Sequence, residues 1–353
     1  MEAIQGAWEL TDKLLVISAM LANESYLARF TPYKDGIITS RNTFQKYFTQ
    51  SELKMFIELS LEESAIAVAP GIYFVFKDKL LEQDYLQNRH RRKQDWEHKS
   101  KPIDIKEANT QLLFTKHSEL FDEYWKVCLL LGRAPAKEEF AKADELIELV
   151  GTMKKAFRLC QNYYGNDDFK IAQQMRLEDL LVYFAVGYFG KRKPYRYQSE
   201  QTKRDIKAFF DTNKNAQAQA KELLFQIADV ALIEEECLEA HRDLPKSVLA
   251  EELGNPHSLT FHKMYLDLLT PLLRVYVSSA LQLYGELEDI QLIKIHITSG
   301  KLTLLGYEEF DIQDNPLLKE RVKIKMAEQD VDFFDYHLNE ESSPRLENKN
   351  AYL

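Results

Sequence analysis

The sequence predicts an α/β segment, then a mostly helical domain, then a small α+β C-terminal region. Three observations carry this expectation. KLLVISAML (13–21) is a continuous apolar run, the pattern of a strand buried on both faces in a parallel sheet. AIAVAPGIYFVFKD (65–78) reads as two strands around a Pro70-Gly71 turn. Between about 132 and 244 the apolar residues recur with helical spacing.

Within the first segment, 1–86, TQSELKMFIELSL (49–61) is expected to be a helix. Thr49 and Glu52 form a T-x-x-E capping box, and Leu53, Phe56, Ile57 and Leu61 share one face. A buried strand, a long connection, a helix and a closing hairpin make half of an α/β sheet. QNRHRRKQDWEHKSKP (87–102) is charged and is expected to be an exposed connection. The helical domain is expected over 87–255. GRAPAKEEFAKADELIELVGTMKKAFRLCQNYY opens it as a helix pair, with Pro135 suited to a first turn. MRLEDLLVYFAVGYF (175–189) follows as a core helix, and 202–244 continues the periodicity. The small α+β region, 256–340, has a helix at YLDLLTPLLRVYVSSALQLYG. Strand-like runs follow at QLIKIHIT, KLTLLGY and RVKIKM. Residues 341–353 are polar and are expected to form a loose tail.

The 353 residues are 45% hydrophobic and 12% aromatic, enough for real cores rather than disorder. A formal net charge of −10 excludes global steering toward nucleic acid, so such binding would need local basic patches. Three scattered cysteines, Cys128, Cys160 and Cys237, make a poor disulfide framework and fit a reducing cytoplasm. MEAIQGAWEL lacks a basic n-region and apolar core, so no signal peptide is expected. No apolar run approaches the roughly 20 residues of a membrane helix, and no membrane partner is expected.

Motifs for chemistry are mostly missing. There is no G-x-G-x-x-G after a strand, no G-x-x-x-x-G-K-[ST] and no H-E-x-x-H. No local spacing suggests a metal site. Cys160 lies in an apolar helical pattern, which favours a buried inert thiol over a nucleophile. Two basic clusters are candidate nucleic-acid contacts. One is Arg89, Arg91 and Arg92, with His90 and Lys93 beside them. The other is Lys191, Arg192, Lys193, Tyr195, Arg196 and Tyr197, whose aromatics could stack bases. Both also read as solvated features, a turn and a helix end stopped at Pro194.

GIITSRNTFQKYFTQSELKMFIE, AIAVAPGIYFVFKDKLLEQDYL and then NRHRR resemble the DNA phosphorothioation-associated methyltransferase family. TSRNTFQKYF is the most specific part. GRAPAKEEF, the AFF after TKRDI, and LLF look like that family's helical region, so the resemblance spans about 7–245. KIHI, GYEEFD and NPLL resemble a further part, with Asn315-Pro316 where the family often has His-Pro.

The resemblance implies a class I S-adenosylmethionine methyltransferase in a bacterial DNA modification and defence system. KLLVISAML would be the fifth strand and AIAVAPGIYFVFKD the sixth and seventh, giving the C-terminal half of a class I methyltransferase-like sheet. The S-adenosylmethionine cofactor of such folds lies at the first strands, with a glycine-rich loop and an acidic second strand, and neither is in this sequence. Nor is an Asn/Asp-Pro-Pro-Tyr/Phe run. The chain is therefore expected to be incomplete as a catalyst alone, with an upstream methyltransferase half as partner or a truncated gene. Thr39, Ser40, Arg41, Asn42, Thr43, Gln45 and Lys46 would form its substrate-side loop. The plainer reading is that they order a connection, with Phe44, Tyr47 and Phe48 packed beneath the hairpin. Two other functions fit the same system: a non-enzymatic DNA-binding module, and a module that docks other phosphorothioation proteins through its apolar helices.

Overall fold

A computed structural model describes residues 2–21, 30–96, 108–190, 194–336 and 343–353. It contains mixed helices and sheets and divides into two compact units. The first comprises Met1–Leu86, Phe184–Pro194 and Gln219–Leu353, and the second Gln87–Tyr183 and Tyr195–Ala218. Among the described residues no helix is long and apolar enough to cross a membrane.

The first unit opens with α1 (Glu2–Glu9), β1 (Leu14–Ser18) and a small antiparallel sheet of β2 (Thr31–Tyr33), β3 (Gly36–Ile38) and β4 (Phe44–Lys46). Then come α2 (Gln50–Leu61), β5 (Ile66–Ala69), β6 (Ile72–Phe76) and α3 (Lys79–Arg89). The expected capping box is present. Thr49 Oγ1 accepts from the Glu52 amide at 3.2 Å, and the Glu52 carboxylate accepts from the Thr49 amide at 2.9 Å. Leu53, Ile57 and Leu61 of α2 pack with Ala67, Tyr73 and Val75. Burial of each large apolar side chain here contributes about 1.5–3 kcal/mol.

β1 departs from expectation. It is not buried on both faces, and among the described residues its strand partner is antiparallel. It pairs with β6 in the order β1-β6-β5. Leu15 and Ile17 pack into the core with α2, while Val16 is 54% exposed. A continuous apolar run conceals this alternation, because Val16 and Met20 are as apolar as their inward neighbours.

The second unit is built of helices. They include α4 (Ala108–Lys116), α5 (Ser118–Leu131), α6 (Ala143–Val150), α7 (Met153–Tyr164), α8 (Asp167–Val186), which starts here, and α9 (Glu200–Phe210). The expected helix pair within 132–164 is present as α6 and α7, which Gly151 separates, and a 3₁₀ turn at Lys137–Glu139 precedes it. Pro135 precedes that turn. Phe114, Phe121, Tyr124, Trp125, Cys128, Cys160 and Phe169 form the core. Of the stretch 87–102, residues 97–102 lie outside the described residues, and 87–96 are not simply an exposed connection. Residues 87–89 close α3, His90 is buried, and Arg91 and Arg92 are half-buried.

α10 (Asn213–Gln226) and α11 (Val230–Asp243) follow, and then a six-stranded antiparallel meander. Its strands are β7 (Val248–Glu252), β8 (Asn255–His262), β9 (Leu292–His296), β10 (Lys301–Tyr307), β11 (Leu318–Lys325) and β12 (Asp330–Asp335). α12 (Pro271–Tyr284) lies between β8 and β9 in the chain. Leu259, Phe261, Ile293, Ile295, Leu302, Leu304, Val322 and Ile324 point to one face and are fully buried. They pack with Ile233 and Cys237 of α11 and Leu273, Tyr276, Val277 and Ala280 of α12. The expected boundary at 255/256 therefore fails. β7 and the start of β8 lie in the stretch expected to be helical, and α11 belongs with the sheet it covers. α12 is core, not a free docking face.

Where α12 ends, Gly285 adopts φ +128°, and a Cβ there would stand 2.4 Å from the Val68 carbonyl carbon. The Glu286 amide donates to Val68 O at 2.7 Å. Only glycine permits this approach of two backbones. The tail is docked rather than loose. Leu318 N donates to Pro344 O at 2.8 Å, Leu346 N to Pro316 O at 3.1 Å, and Lys349 Nζ to Gln313 O at 3.0 Å.

Candidate functional site

The stretch most specific in sequence folds as the β3–β4 hairpin. Thr39 and Thr43 close it. Thr39 N donates to Thr43 O at 2.9 Å, Asn42 N donates to Thr39 O at 2.9 Å, and the two threonine hydroxyls meet at 2.7 Å. Asn42 sits at φ +55°, the left-handed position that ends a three-residue hairpin loop and that asparagine tolerates. Gly36 lets the strands close, since a Cβ there would lie 2.2 Å from Gln45 O. The structure thus gives Thr39, Asn42 and Thr43 a backbone role and leaves Ser40 and Arg41 exposed at the tip. Lys46 leaves the tip to pair with Asp35 at 2.9 Å, and its hydrogen bond holds the Asp35 carboxyl below its usual range. The Gln45 amide reaches Met20 Sδ at 3.6 Å. Phe48 packs in the core against Phe56, but Phe44 does not lie beneath the hairpin. It is 49% exposed, edge-on to Tyr33.

The first basic cluster is not a free cationic surface. Arg92 bonds Glu178 and Asp179, the latter at 2.8 Å, and its amide donates to Asp179 Oδ2 at 3.0 Å. Arg91 donates to the Leu130 carbonyl. Burial, and next the Arg176 charge, lowers its pKa. Arg89 ends α3. Nearby in the same unit Asp205, fully buried, accepts from Arg133 Nε and Arg176 Nη2, each at 2.6 Å. Arg133 also grips both Glu139 oxygens at 2.7 Å. Sequence reasoning passed over this network. The signal was there, since Arg176 and Asp179 interrupt an apolar helix and a buried charge requires a partner.

Of the second cluster, Lys191, Arg192 and Lys193 lie outside the described residues. Tyr195–Tyr197 is a 3₁₀ turn with Tyr195 43% and Tyr197 56% exposed. The Arg196 guanidinium lies 4.5 Å from the Tyr197 ring centroid. Exposed rings and a cation can stack bases and meet phosphate.

Among the described residues no group of three His, Cys, Asp or Glu side chains could hold a metal. All three cysteines are free and buried, and burial raises each thiol pKa, that of Cys237 to about 12. They are therefore inert at neutral pH. Residues 19–30 after β1 contain no glycine, and β5 runs directly into Pro70-Gly71. No family model, curated protein or solved structure matches the chain.

Proposed function

We propose that the chain is the C-terminal portion of a methyltransferase-like protein associated with DNA phosphorothioation, contributing a substrate-side hairpin without completing catalysis alone. One observation carries this. β1 and β5 run parallel, are joined through α2, and flank the antiparallel β6. A strand, a linking helix and a closing antiparallel hairpin are what the resemblance implies for the end of a class I sheet. The TSRNTFQKYF stretch supplies the hairpin between β1 and α2, with Ser40 and Arg41 at its tip.

This reading routes no chemistry through the cofactor in this chain. Calorimetry tests the reading. The isolated chain should not bind S-adenosylmethionine, and its mixture with the polypeptide encoded immediately upstream should. Tight binding by the chain alone overturns it.

A second reading, a DNA-binding module without catalysis, draws on the exposed Tyr195 and Tyr197 with Arg196. Replacing Lys191, Arg192, Lys193 and Arg196 together should flatten the dependence of DNA affinity on salt. An unchanged slope removes this surface.

A further inference from the structure

The six-stranded sheet buries one face under α11 and α12. Its other face must carry the alternate residues of each strand. Register places them in rows. Thr260, Lys294, Thr303, Lys323 and Asp332 lie side by side across β8 to β12, and Ser258, His296, Lys301, Lys325 and Asp330 form the next row. Arg321, two residues from Lys323 on β11, faces the same way, opposite Leu305 and Phe334.

These cations are unevenly matched. Lys325 is held by Asp332 at 2.9 Å, with Asp330 at 3.5 Å and Glu328 at 3.7 Å, all at the β12 edge. Toward the middle, Lys294, Lys301, Lys323 and Arg321 have no ion pair among the described residues. Arg321 rests instead on the Phe334 ring, 4.3 Å from its centroid. Lys294 and Lys323 stand two strands apart, about 10 Å, with only Thr303 between them. Clustered like charges on a sheet are destabilising, and this protein has 56 acidic residues against 46 basic ones to draw on. The His296 ring, wedged among Lys294, Lys301, Lys323 and His257, donates to or accepts from Thr303 Oγ1 at 2.9 Å. Two polar atoms on this face are buried without a hydrogen-bond partner, Ser258 Oγ and Arg321 Nε. Unpaired cations in register across neighbouring strands fit a polyanion lying across them.

We infer that the outer face of this sheet, centred on Lys294, Thr303 and Lys323 and flanked by Lys301 and Arg321, binds the phosphodiester backbone of a nucleic acid. Lysines at the sheet centre contact phosphate, while the Phe334 ring beside Arg321 gives a stacking surface next to them. The acidic β12 edge sets a boundary by repelling the backbone. The inference goes beyond the hairpin reading and needs no methyltransferase activity, so failure of the cofactor experiment leaves it standing.

Fluorescence anisotropy of the full chain with labelled duplex and single-stranded DNA, titrated with salt, tests it. The native chain should bind, with log affinity falling linearly against log salt. The pair Lys294→Ser and Lys323→Ser should lower the duplex slope by about 1.8, or 0.9 per lost phosphate contact. The pair Lys294→Arg and Lys323→Arg should keep it, and Lys214→Ser, on α10, should change nothing. Should the serine pair fail to fold, Lys301→Ser alone should remove about half of that change. Absence of binding at low salt, or an unchanged slope in a folded variant, overturns the inference. So does binding to vesicles containing phosphatidylserine but to neither DNA.

Discussion

Asp205 divides its carboxylate between two arginines, one oxygen to Arg133 and the other to Arg176, in a site with no solvent exposure. Removing the charge strands the Arg176 guanidinium in a poorly solvated interior and leaves Arg133 with only the Glu139 carboxylate. Asp205→Asn is expected to destabilise the protein by about 3–5 kcal/mol, read as a fall in the urea midpoint with the slope unchanged. A change below about 0.5 kcal/mol would show that water or relaxation replaces the carboxylate.

The hairpin separates scaffold from tip. Asn42→Gly should be nearly neutral, because glycine accepts the left-handed backbone, while Asn42→Ala should cost roughly 1 kcal/mol. Arg41→Ala should leave stability within about 0.5 kcal/mol, as an exposed substitution does. Thermal melts of the three variants check the order, and a destabilising Arg41→Ala would give Arg41 a structural part.

His296 should make the protein acid-sensitive over a defined window. Burial first, then the surrounding cations Lys294, His257, Lys323 and Lys301, lowers its pKa from 6.5 to about 4. Between those values the unfolded state binds more protons at this site than the folded state, so stability falls as pH drops through the window and levels off below it. Above about 6.5 the full contribution is present. Denaturation midpoints of the native chain and His296→Gln should converge toward acid pH, and parallel curves would contradict the shift.

Deleting residues 343–353 should destabilise the C-terminal sheet rather than trim a passive tail. It removes the Pro344 and Leu346 backbone bonds to Leu318 and Pro316 and the Lys349 contact to Gln313. Faster amide exchange at Leu318 and its β11 neighbours is the expected readout. Unchanged protection would mean the strand holds without its cover.

Local signals were legible in the sequence where the cause is local. The Thr49–Glu52 box and the Pro70-Gly71 turn each depend on residues a few positions apart, and both are present. Signals that depend on a distant partner were not. The exposure of Val16 could not be read from KLLVISAML, because covering or exposing it is decided by what packs on the sheet. The β7–β8 hairpin was missed beside a helical stretch, although Leu253-Gly254 offered a turn signal. At the hairpin tip the residue types suggested chemistry, while geometry assigns Thr39 and Thr43 to each other. The arginine run Arg89–Arg92 suggested a nucleic-acid surface because its acidic partners, Glu178 and Asp179, lie far along the chain. The lysines of the outer sheet face escaped notice for the converse reason. They are dispersed among three strands and converge only through register.

The backbone contact of Gly285 with Val68 has a consequence for the order of events during synthesis. β5 is translated more than 200 residues before the glycine against which it packs. At ordinary elongation rates that interval is on the order of tens of seconds. The helices of 87–183 emerge within it and can assemble first, while the exposed edges of the N-terminal strands wait for the end of α12. This interval is when the chain most needs shielding from aggregation, and ribosome-bound chains stopped before Gly285 should be the most readily digested by protease.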